Sequence, residues 1–224
     1  MKIFVAVAAL VILPLIHQPA TAEGLLYRLP KDGTWTRFEY VYTVVGKDNP
    51  PRKGSFWMAS VGQATVNGEA CRWIELRQDE ATFGGPLKNT YKVLVPEQHL
   101  GRGKSPLNHV VRGWFKGSGE PKVLNSKNNG GFIMIALASP LKDVAELKEE
   151  VIVSKLGELA CPGIKTTGKF PVSKIDWEVT FETRLHPKAP FGVVTCDFRE
   201  RGSSLAMKLI DFGDGAKSEM PEAQ

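Results

Sequence analysis

Apolar and polar residues alternate most clearly between positions 175 and 185 of the chain. The apolar members are Ile175, Trp177, Val179, Phe181 and Leu185. A period of two with one polar side predicts a half-buried antiparallel strand. The same pattern predicts a second strand over 35–45. The residues that share its apolar side are Phe38, Tyr40, Tyr42 and Val44.

Several shorter segments extend the prediction of strands into both halves of the chain. Asn67-Gly68 is typical of a two-residue hairpin turn, and Arg201-Gly202-Ser203 predicts a second hairpin. In chain order, the predicted strands are Ser55–Val66, Glu69–Arg77, Thr90–Val95, Val151–Leu159, Thr166–Phe170, Gly192–Arg199 and Leu205–Phe212.

The middle of the chain shows helix-like spacing instead. Pro106–Lys116 places apolar residues at near-helical intervals and predicts one helix. Ser139 followed by Pro140 is typical of a helix N-terminus and predicts another. Four residues would then share one face of that helix: Leu141, Val144, Ala145 and Leu147. Gly117–Gly131, which is rich in Gly, Asn, Ser and Lys, predicts an exposed loop.

Strands that are segregated from helices favour an α+β fold. We predict a strongly curved antiparallel sheet, an unclosed β-barrel, with a few helices packed on its concave face. Residues 23–224 show no change in composition that would mark a boundary, so we expect a single domain. A chain of this length can bury a sizeable hydrophobic core without disulfides or metals.

The first 22 residues differ from the rest of the chain. Lys2 precedes an apolar run over 3–16, and Ala20-Thr21-Ala22 ends the segment. A positive start, a short apolar centre and an A-x-A end are typical of a secretory signal peptide. We expect residues 1–22 to be removed and the protein to be periplasmic or secreted. The alternative is a membrane anchor, for which the run is short.

The charge and the cysteine content bear on two predictions, nucleic-acid binding and the oxidation state of the cysteines. The formal net charge of +5 is spread along the chain, so no nucleic-acid surface is predicted. Cys71, Cys161 and Cys196 would meet an oxidising compartment. Three pairings are possible among them, and a Cys161–Cys196 disulfide is slightly favoured because consecutive strands tend to be neighbours. The alternative is three small, buried, unbonded thiols.

The sequence contains no familiar catalytic or metal-binding motif. It has no G-x-S-x-G nucleophile motif and no H-E-x-x-H zinc motif. Gly103-Lys104-Ser105 ends like a phosphate-binding loop, but Gln98 stands where that loop needs its first glycine. We therefore expect no enzyme activity, no cofactor and no metal.

Short motifs in the C-terminal half resemble those of a known family. Lys155–Cys161 is similar to the pattern T-x-x-G-x-F/L-x-C of periplasmic lipoprotein carriers, and His186–Val194 is similar to their V-P-x-G-x-V step. Leu209–Ser218 continues the likeness to uncharacterised secreted relatives. The resemblance to this superfamily, the outer-membrane lipoprotein localisation factors, implies an unclosed barrel around a helical plug, an acyl chain in the cavity and no catalytic residues.

Aromatic residues on the predicted strands are the candidate lining of such a cavity. Ordinary core packing is the simpler interpretation of each one. Aromatic surfaces between a curved sheet and its helices also suit a lipid or another apolar ligand. The candidate ligand-binding residues are Phe38, Tyr40, Tyr42, Trp177 and Phe181.

Two other hypotheses stay open at the level of sequence. The first is a structural or interaction module of the cell envelope, with a solid core and an envelope protein as its partner. The second is a hydrolase built from scattered residues, which variants of His99 and His186 would test. No second long apolar stretch follows the first one, so an integral membrane protein is not predicted.

Overall fold

In a computed structural model, one antiparallel sheet accounts for most of the chain. The structure describes residues 24–44, 46, 50–82, 85–124, 132–138, 143–172 and 175–220. Within these ranges, eleven strands form a single sheet with an edge strand at either end. The predicted signal peptide, residues 1–22, lies outside the described residues.

The strands fall into two groups along the chain. The first group is β1 (Trp35–Val44), β2 (Arg52–Val66), β3 (Glu69–Thr82), β4 (Gly85–Pro96), β5 (Arg112–Lys116) and β6 (Lys122–Val123). The second group is β7 (Asp143–Ser154), β8 (Gly157–Val172), β9 (Ile175–Leu185), β10 (Val193–Glu200) and β11 (Ser203–Gly213). The described helices are two 3₁₀ turns, Glu97–His99 and Pro106–His109, and α1 (Phe132–Ala136).

Across the sheet the strand order is β6-β5-β4-β3-β2-β1-β11-β10-β9-β8-β7. All neighbours are antiparallel. The first and last strands of the chain pair at the centre of the sheet, from Trp35 opposite Gly213 to Val44 opposite Ser203. Between the edge strands β6 and β7, the chain passes through α1. The predicted antiparallel half-barrel is confirmed.

The inner face of the sheet carries the hydrophobic core. Cys196, Met207 and Tyr40 form one row across β10, β11 and β1 and share this face. Phe38 and Phe56, which pair on β1 and β2, have no exposed surface. All five belong to one hydrophobic cluster that joins both halves of the sheet.

Helix α1 and the first described residues cover the inner face. Ile133 and Ala136 of α1, together with Leu25 and Leu26, are at most 1% exposed and belong to the same cluster. The amide of Leu25 donates to the carbonyl of Ala136 at 3.0 Å. Apolar side chains therefore fill the concave side of the sheet at these positions.

The predicted α+β class is wrong, because the segments expected to be helical are mostly strands. Pro106–Lys116 is a single 3₁₀ turn followed by β5. The helix predicted from Ser139 onward is strand β7 from Asp143, and residues 139–142 lie outside the described residues. Within the described chain, α1 is one short helix of five residues. The fold is a nearly all-β sheet.

Edge position and cross-strand contacts explain this difference. Strand β7 lies at the edge of the sheet and is mostly exposed on both sides, so its alternation is weak, and Val144 and Leu147 fall at helical spacing. In β5, the ring of Phe115 packs on Tyr91 of β4 with centroids 4.9 Å apart. Contacts of this kind override a weak helical periodicity.

The strands predicted from clear alternation are confirmed. Strand β9 covers the predicted residues from end to end, and β1 ends one residue before the predicted boundary. Asn67, with a φ of 51°, and Gly68, with a φ of 82°, form the predicted hairpin turn. Val151–Leu159, which was expected to be one strand, contains the turn between β7 and β8.

All three cysteines are free, buried thiols. Cys161 on β8 and Cys196 on β10 are separated by β9. The favoured Cys161–Cys196 bond is therefore wrong, and three unbonded thiols are found.

Candidate functional site

The hairpin of β7 and β8 extends beyond the strand on which it is built. Strand β8 pairs with β9 only from Gly163 onward, where Gly163 lies opposite Arg184. Residues 148–162 consequently pair only within the hairpin. We call this segment the hairpin tip.

Two ion pairs place the hairpin tip over the outer face of the sheet, the face opposite the core. Lys155, at the turn of the hairpin, contacts Asp211 of β11. Glu150 binds Arg184 of β9 with 3.1 Å between Oε2 and Nη2. The hairpin tip therefore crosses the outer face from β9 toward β11.

A glycine and a bulge let the hairpin tip turn back over the sheet. A Cβ at Gly163 would lie 2.6 Å from Nη1 of Arg184 and 2.9 Å from Cβ of Leu147. The pairing of β7 with β8 also shifts register between Leu147 and Glu150, which marks a β-bulge. Bulges bend strands, and a glycine permits this close approach, so the two features together account for the turn.

A cleft of about 840 Å³ lies between the hairpin tip and the outer face. We call it the hairpin cleft. Its roof is residues 150–153 of β7. Its floor comes from five neighbouring strands, from β9 at one end to β2 at the other. The outward side chains of the floor are Glu39, Val41, Lys53, Glu182, Arg184, Thr195, Asp197, Ala206 and Lys208.

The strand register sets the order of these side chains across the floor. One row, from β9 to β2, is Glu182, Asp197, Ala206, Val41 and Lys53. The adjacent row, from β9 to β1, is Arg184, Thr195, Lys208 and Glu39. In the first row the uncharged Ala206 and Val41 lie between charged residues at both ends, and in the second row Lys208 and Glu39 lie beside this uncharged pair.

The roof of the hairpin cleft is apolar next to Glu150. Val151 and Val153 are 64% and 63% exposed, whereas Ile152 between them is buried. Glu150 reaches Arg184 of the floor, and alternation puts Ile152 on the same side of β7, so Ile152 faces the floor and the two valines point away from it.

Ion pairs hold most of the charged groups at the β9 end of the floor. Glu182 binds Lys165 at 3.0 Å and Arg199 at 3.7 Å. The hydrogen bond from Lys165 is the main reason that the pKa of Glu182 is lowered. Arg184 is held by Glu150 of the roof. Because these groups neutralise one another, they attract a charged ligand only weakly.

Asp197 stands apart from this network. It is half-buried, and it makes no hydrogen bond or ion pair with any residue that the structure describes. Burial raises the pKa of its carboxyl above the ordinary value; Glu182 and Glu150 add to the effect, and Arg199 and Arg184 oppose it. The floor thus contains one partly desolvated carboxyl without a direct partner among the described residues.

The five predicted ligand-binding residues lie mainly on the inner face. Phe38, Tyr40 and Phe181 are core residues with at most 2% exposure, and Tyr42 packs against the same cluster. Trp177 is 39% exposed on β9. Tyr40 also borders the hairpin cleft, and the other four do not line it. Their role in ligand binding stays a prediction.

Tyr40 is held by a buried polar group on the inner face. Its hydroxyl donates to Glu80 at 2.7 Å and accepts from Gln78 at 3.1 Å. Arg52 pairs with Glu80 at 3.0 Å. A Cβ at Gly54 would lie 2.5 Å from the Tyr40 hydroxyl, so this glycine makes room for the ring. Burial is the main cause of the raised pKa of Tyr40, which keeps the hydroxyl protonated as a donor.

Sequence reasoning missed the floor of the hairpin cleft. Glu182, Arg184 and Asp197 occupy the polar side of alternating strands, which a sequence pattern assigns to solvent. Their cover is the neighbouring hairpin of β7 and β8, which turns back over the outer face. One local signal does point to it: residues 151–153 are an apolar run at the end of an otherwise charged edge strand.

The described residues contain neither a metal centre nor a membrane-spanning helix. No three His, Cys, Asp or Glu side chains in these ranges are grouped so that they could hold a metal ion. His99 and His109 stack with ring centroids 3.5 Å apart, but this group contains only two of the three ligands that such a site needs. None of the helices in the described ranges has the length and apolar character needed to cross a bilayer.

Comparisons with known proteins find distant similarity to several solved structures. No protein-family model matches it. Curated proteins likewise include no significant match. A protein from Bacteroides fragilis, inferred to be exported and described as having a YmcC-like fold, is similar at 7% identity; the match covers 86% of this chain and 100% of that one, with a TM-score of 0.43.

Two further solved structures share this degree of likeness. The hypothetical protein CT021 from Chlamydia trachomatis is 13% identical, with 87% of this chain and 93% of that one covered and a TM-score of 0.49. A protein from Parabacteroides distasonis, inferred to be a lipoprotein, is 11% identical, with 88% and 100% covered and a TM-score of 0.42. The resemblance to the lipoprotein localisation factors stays a prediction.

Proposed function

We propose that this protein is a non-catalytic binding protein of an extracytoplasmic compartment, and that it holds an amphipathic ligand such as a lipid in the hairpin cleft. The observation that carries the proposal is the layout of the cleft, in which uncharged residues of the floor, Val41 and Ala206, are surrounded by charged ones. Its volume of about 840 Å³ falls within the range of small-molecule sites, about 300–1,000 Å³.

The centre of the cleft suits an apolar chain. Val41 and Ala206 are neighbours in the floor, and Ile152 faces the floor from the roof. Ala206 is exposed in the free protein. A ligand that covered this apolar surface would gain about 25 cal/mol for each Å² removed from water.

Charged ends suit the polar part of the same ligand. A few convergent polar groups orient a ligand in a mainly apolar site. Arg184 and Asp197 stand at one end, and Lys53 stands at the other. A purely hydrocarbon ligand would leave these groups with less water and no new partner, which is unfavourable. The layout therefore favours an amphiphile.

The N-terminal segment supports the proposed location outside the cytoplasm, because residues 1–22 carry the pattern of a signal peptide. Free thiols are compatible with an oxidising space when they are unreactive. Cys196 is buried, and burial raises the pKa of its thiol to about 12. Oxidation requires the thiolate, so this cysteine is protected.

The proposed role is binding without catalysis. The described lining of the hairpin cleft has no serine, cysteine or histidine that would act as a nucleophile or a general base. Glu182, a carboxylate in the lining, is engaged by Lys165 and Arg199. The lining therefore offers groups that position a ligand.

Filling the centre of the cleft tests this proposal. We expect the Ala206→Trp variant to lose uptake of a neutral amphiphile, decyl maltoside, which the unmodified protein binds in isothermal titration calorimetry. Ala81→Trp is the matched control, because Ala81 is also an exposed strand alanine and does not line the cleft. Equal uptake by the two folded variants, or no uptake by the unmodified protein, would contradict the proposal.

An interaction module of the cell envelope is the second candidate. Strand β7 is an edge of the sheet, and Val151 and Val153 are exposed on it. An exposed apolar edge can accept a strand from a partner protein. Recovery of an envelope protein crosslinked through residue 151, in the absence of any amphiphile uptake, would favour this role.

A further inference from the structure

We propose that the hairpin cleft selects amphiphiles with a positively charged amine head, and that Asp197 is the residue that recognises this head. The inference rests on the proposed function and names the class of ligand. It comes from the position of Asp197 and from the pairing of the charged groups around it.

Asp197 lies in the first row of the floor, between a charged and an uncharged neighbour. On one side it is opposite Glu182 of β9, and on the other it is opposite Ala206 of β11. A ligand chain that ran over Ala206 and Val41 would therefore bring its head to Asp197. The next strand beyond it, β9, is occupied by paired charges.

Each carboxylate near Asp197 already has a cationic partner. Glu182 binds Lys165 and Arg199, and Glu150 of the roof binds Arg184. Among the described residues, Asp197 is the carboxylate of this group that has no direct partner. An ammonium placed there would complete the set of pairs.

Partial burial makes this missing partner significant. Asp197 is half-buried, so water solvates its charge less well than at the surface. A partly desolvated carboxylate gains more from a charge-assisted hydrogen bond than an exposed one does. An anionic head at the same place would lie against the Asp197 carboxylate itself, while the nearby cations Arg199 and Arg184 are already engaged by Glu182 and Glu150.

Three amphiphiles share one chain length and differ in the head group: decylammonium, decyl maltoside and decanoate. We expect the unmodified protein to bind decylammonium tightest at pH 7, and to bind it at least about tenfold more tightly than decanoate, because its N–H groups can donate charge-assisted hydrogen bonds to Asp197. Isothermal titration calorimetry below micelle formation measures the three affinities.

The Asp197→Asn variant removes the charge and keeps the shape. It should weaken binding of the ammonium about tenfold and leave decyl maltoside unchanged. Glu178→Gln is the matched control, because Glu178 is exposed on β9 and does not line the cleft. It should alter neither affinity.

The pH provides a second test with the unmodified protein. Decylammonium stays protonated from acid to neutral pH, so its affinity follows the protein groups that face it. These are Asp197, Glu182, Arg184 and Lys208 of the floor, Arg199 beside them and Glu150 of the roof. Binding should weaken as the pH falls through the raised pKa of Asp197, at a pH where the paired Glu182 is still ionised.

The outcomes distinguish the two proposals. Equal affinity for the three head groups, or full ammonium binding by folded Asp197→Asn, overturns the head-group inference and leaves the proposed function standing. Failure of the unmodified protein to bind any of the three overturns both. Tight ammonium binding that is lost in Asp197→Asn and retained in Glu178→Gln supports both.

Discussion

The two faces of strand β1 have opposite surroundings. Phe38 and Tyr40 point to the inner face, where they are at most 1% exposed and contact the cluster that joins both halves of the sheet. Glu39 and Val41, between and beside them, point to the outer face and line the hairpin cleft. One strand therefore serves a closed core on one side and an open cleft on the other.

This difference separates stability from the proposed binding. Close-packed residues of the inner face contribute through burial and dispersion, so their loss leaves a void. Outer-face residues of the cleft are incompletely buried, so their replacement changes the unfolding free energy little. Substitutions on one strand should consequently affect either folding or binding, according to the face they alter.

The largest effect is expected for Phe38→Ala on the inner face. Its ring has no exposed surface, so truncation should lower the free energy of unfolding by about 3–5 kcal/mol. Denaturant unfolding measures this change. Val41→Ala on the outer face is the comparison, with an expected loss below about 1 kcal/mol. Similar losses for both variants would remove the proposed separation of the two faces.

The next largest effect is expected for Gly54→Ala. An added Cβ would lie 2.4 Å from the Asp79 carbonyl oxygen and 2.5 Å from the Tyr40 ring, which must move away from Glu80. The expected loss of unfolding free energy is about 1–3 kcal/mol. Gly119→Ala is the matched control, because it meets nothing within 4 Å. Unchanged stability of Gly54→Ala in thermal unfolding would show that the Tyr40 site is not tightly packed.

A smaller effect is expected for Lys155→Ala at the turn of the hairpin tip. Its ion pair with Asp211 is largely exposed, so the global stability should change by less than about 1 kcal/mol. The roof of the cleft should nevertheless open more often. Hydrogen exchange should therefore become faster in residues 150–154. Lys88→Ala, at an exposed lysine of β4, should leave this exchange unchanged; equal exchange in both variants would argue against the contact as an anchor of the roof.

The smallest effect, and one of opposite sign, is expected for Asp197→Asn. The native pKa of Asp197 is raised above the ordinary value of about 3.9 in the unfolded chain. Between these two pKa values the native state binds more protons, so stability falls as the pH rises through that interval. At pH 7 the full unfavourable contribution is present, and the variant should melt at the same temperature or up to a few degrees higher.

That advantage should vanish at a pH below both pKa values, where the native and unfolded carboxyls are both protonated. Thermal unfolding at several pH values checks this. Glu178→Gln should show no such trend. A variant of Asp197 that melts well below the unmodified protein at neutral pH would indicate that the carboxylate has a structural partner.

Local patterns predicted the strands whose two sides differ in environment. Strand β9 alternates cleanly because Phe181 faces the core and Glu182 faces the cleft. Alternation failed to predict strand β7, because this edge strand is mostly exposed on both sides and therefore does not alternate between apolar and polar residues. The helices predicted around it were wrong for that reason, since a few apolar residues fit two periodicities.

The candidate site could be predicted only in part. Tyr40 was among the predicted residues and borders the hairpin cleft, but its ring belongs to the inner face. The sequence pattern placed Asp197 and Glu182 on the polar side of a strand and gave no sign that they line a cleft. Their special position depends on Lys155 reaching Asp211 across 56 residues of chain, and no local pattern encodes such a contact.

The sequence by itself determined the strands with clear alternation, the Asn67-Gly68 turn and the antiparallel character of the sheet, because these depend on side-chain period and on backbone freedom at single residues. Tertiary structure decided the pairing of β1 with β11, the free thiols and the hairpin cleft. Each of these depends on which distant segments meet, and packing of the whole chain selects that arrangement.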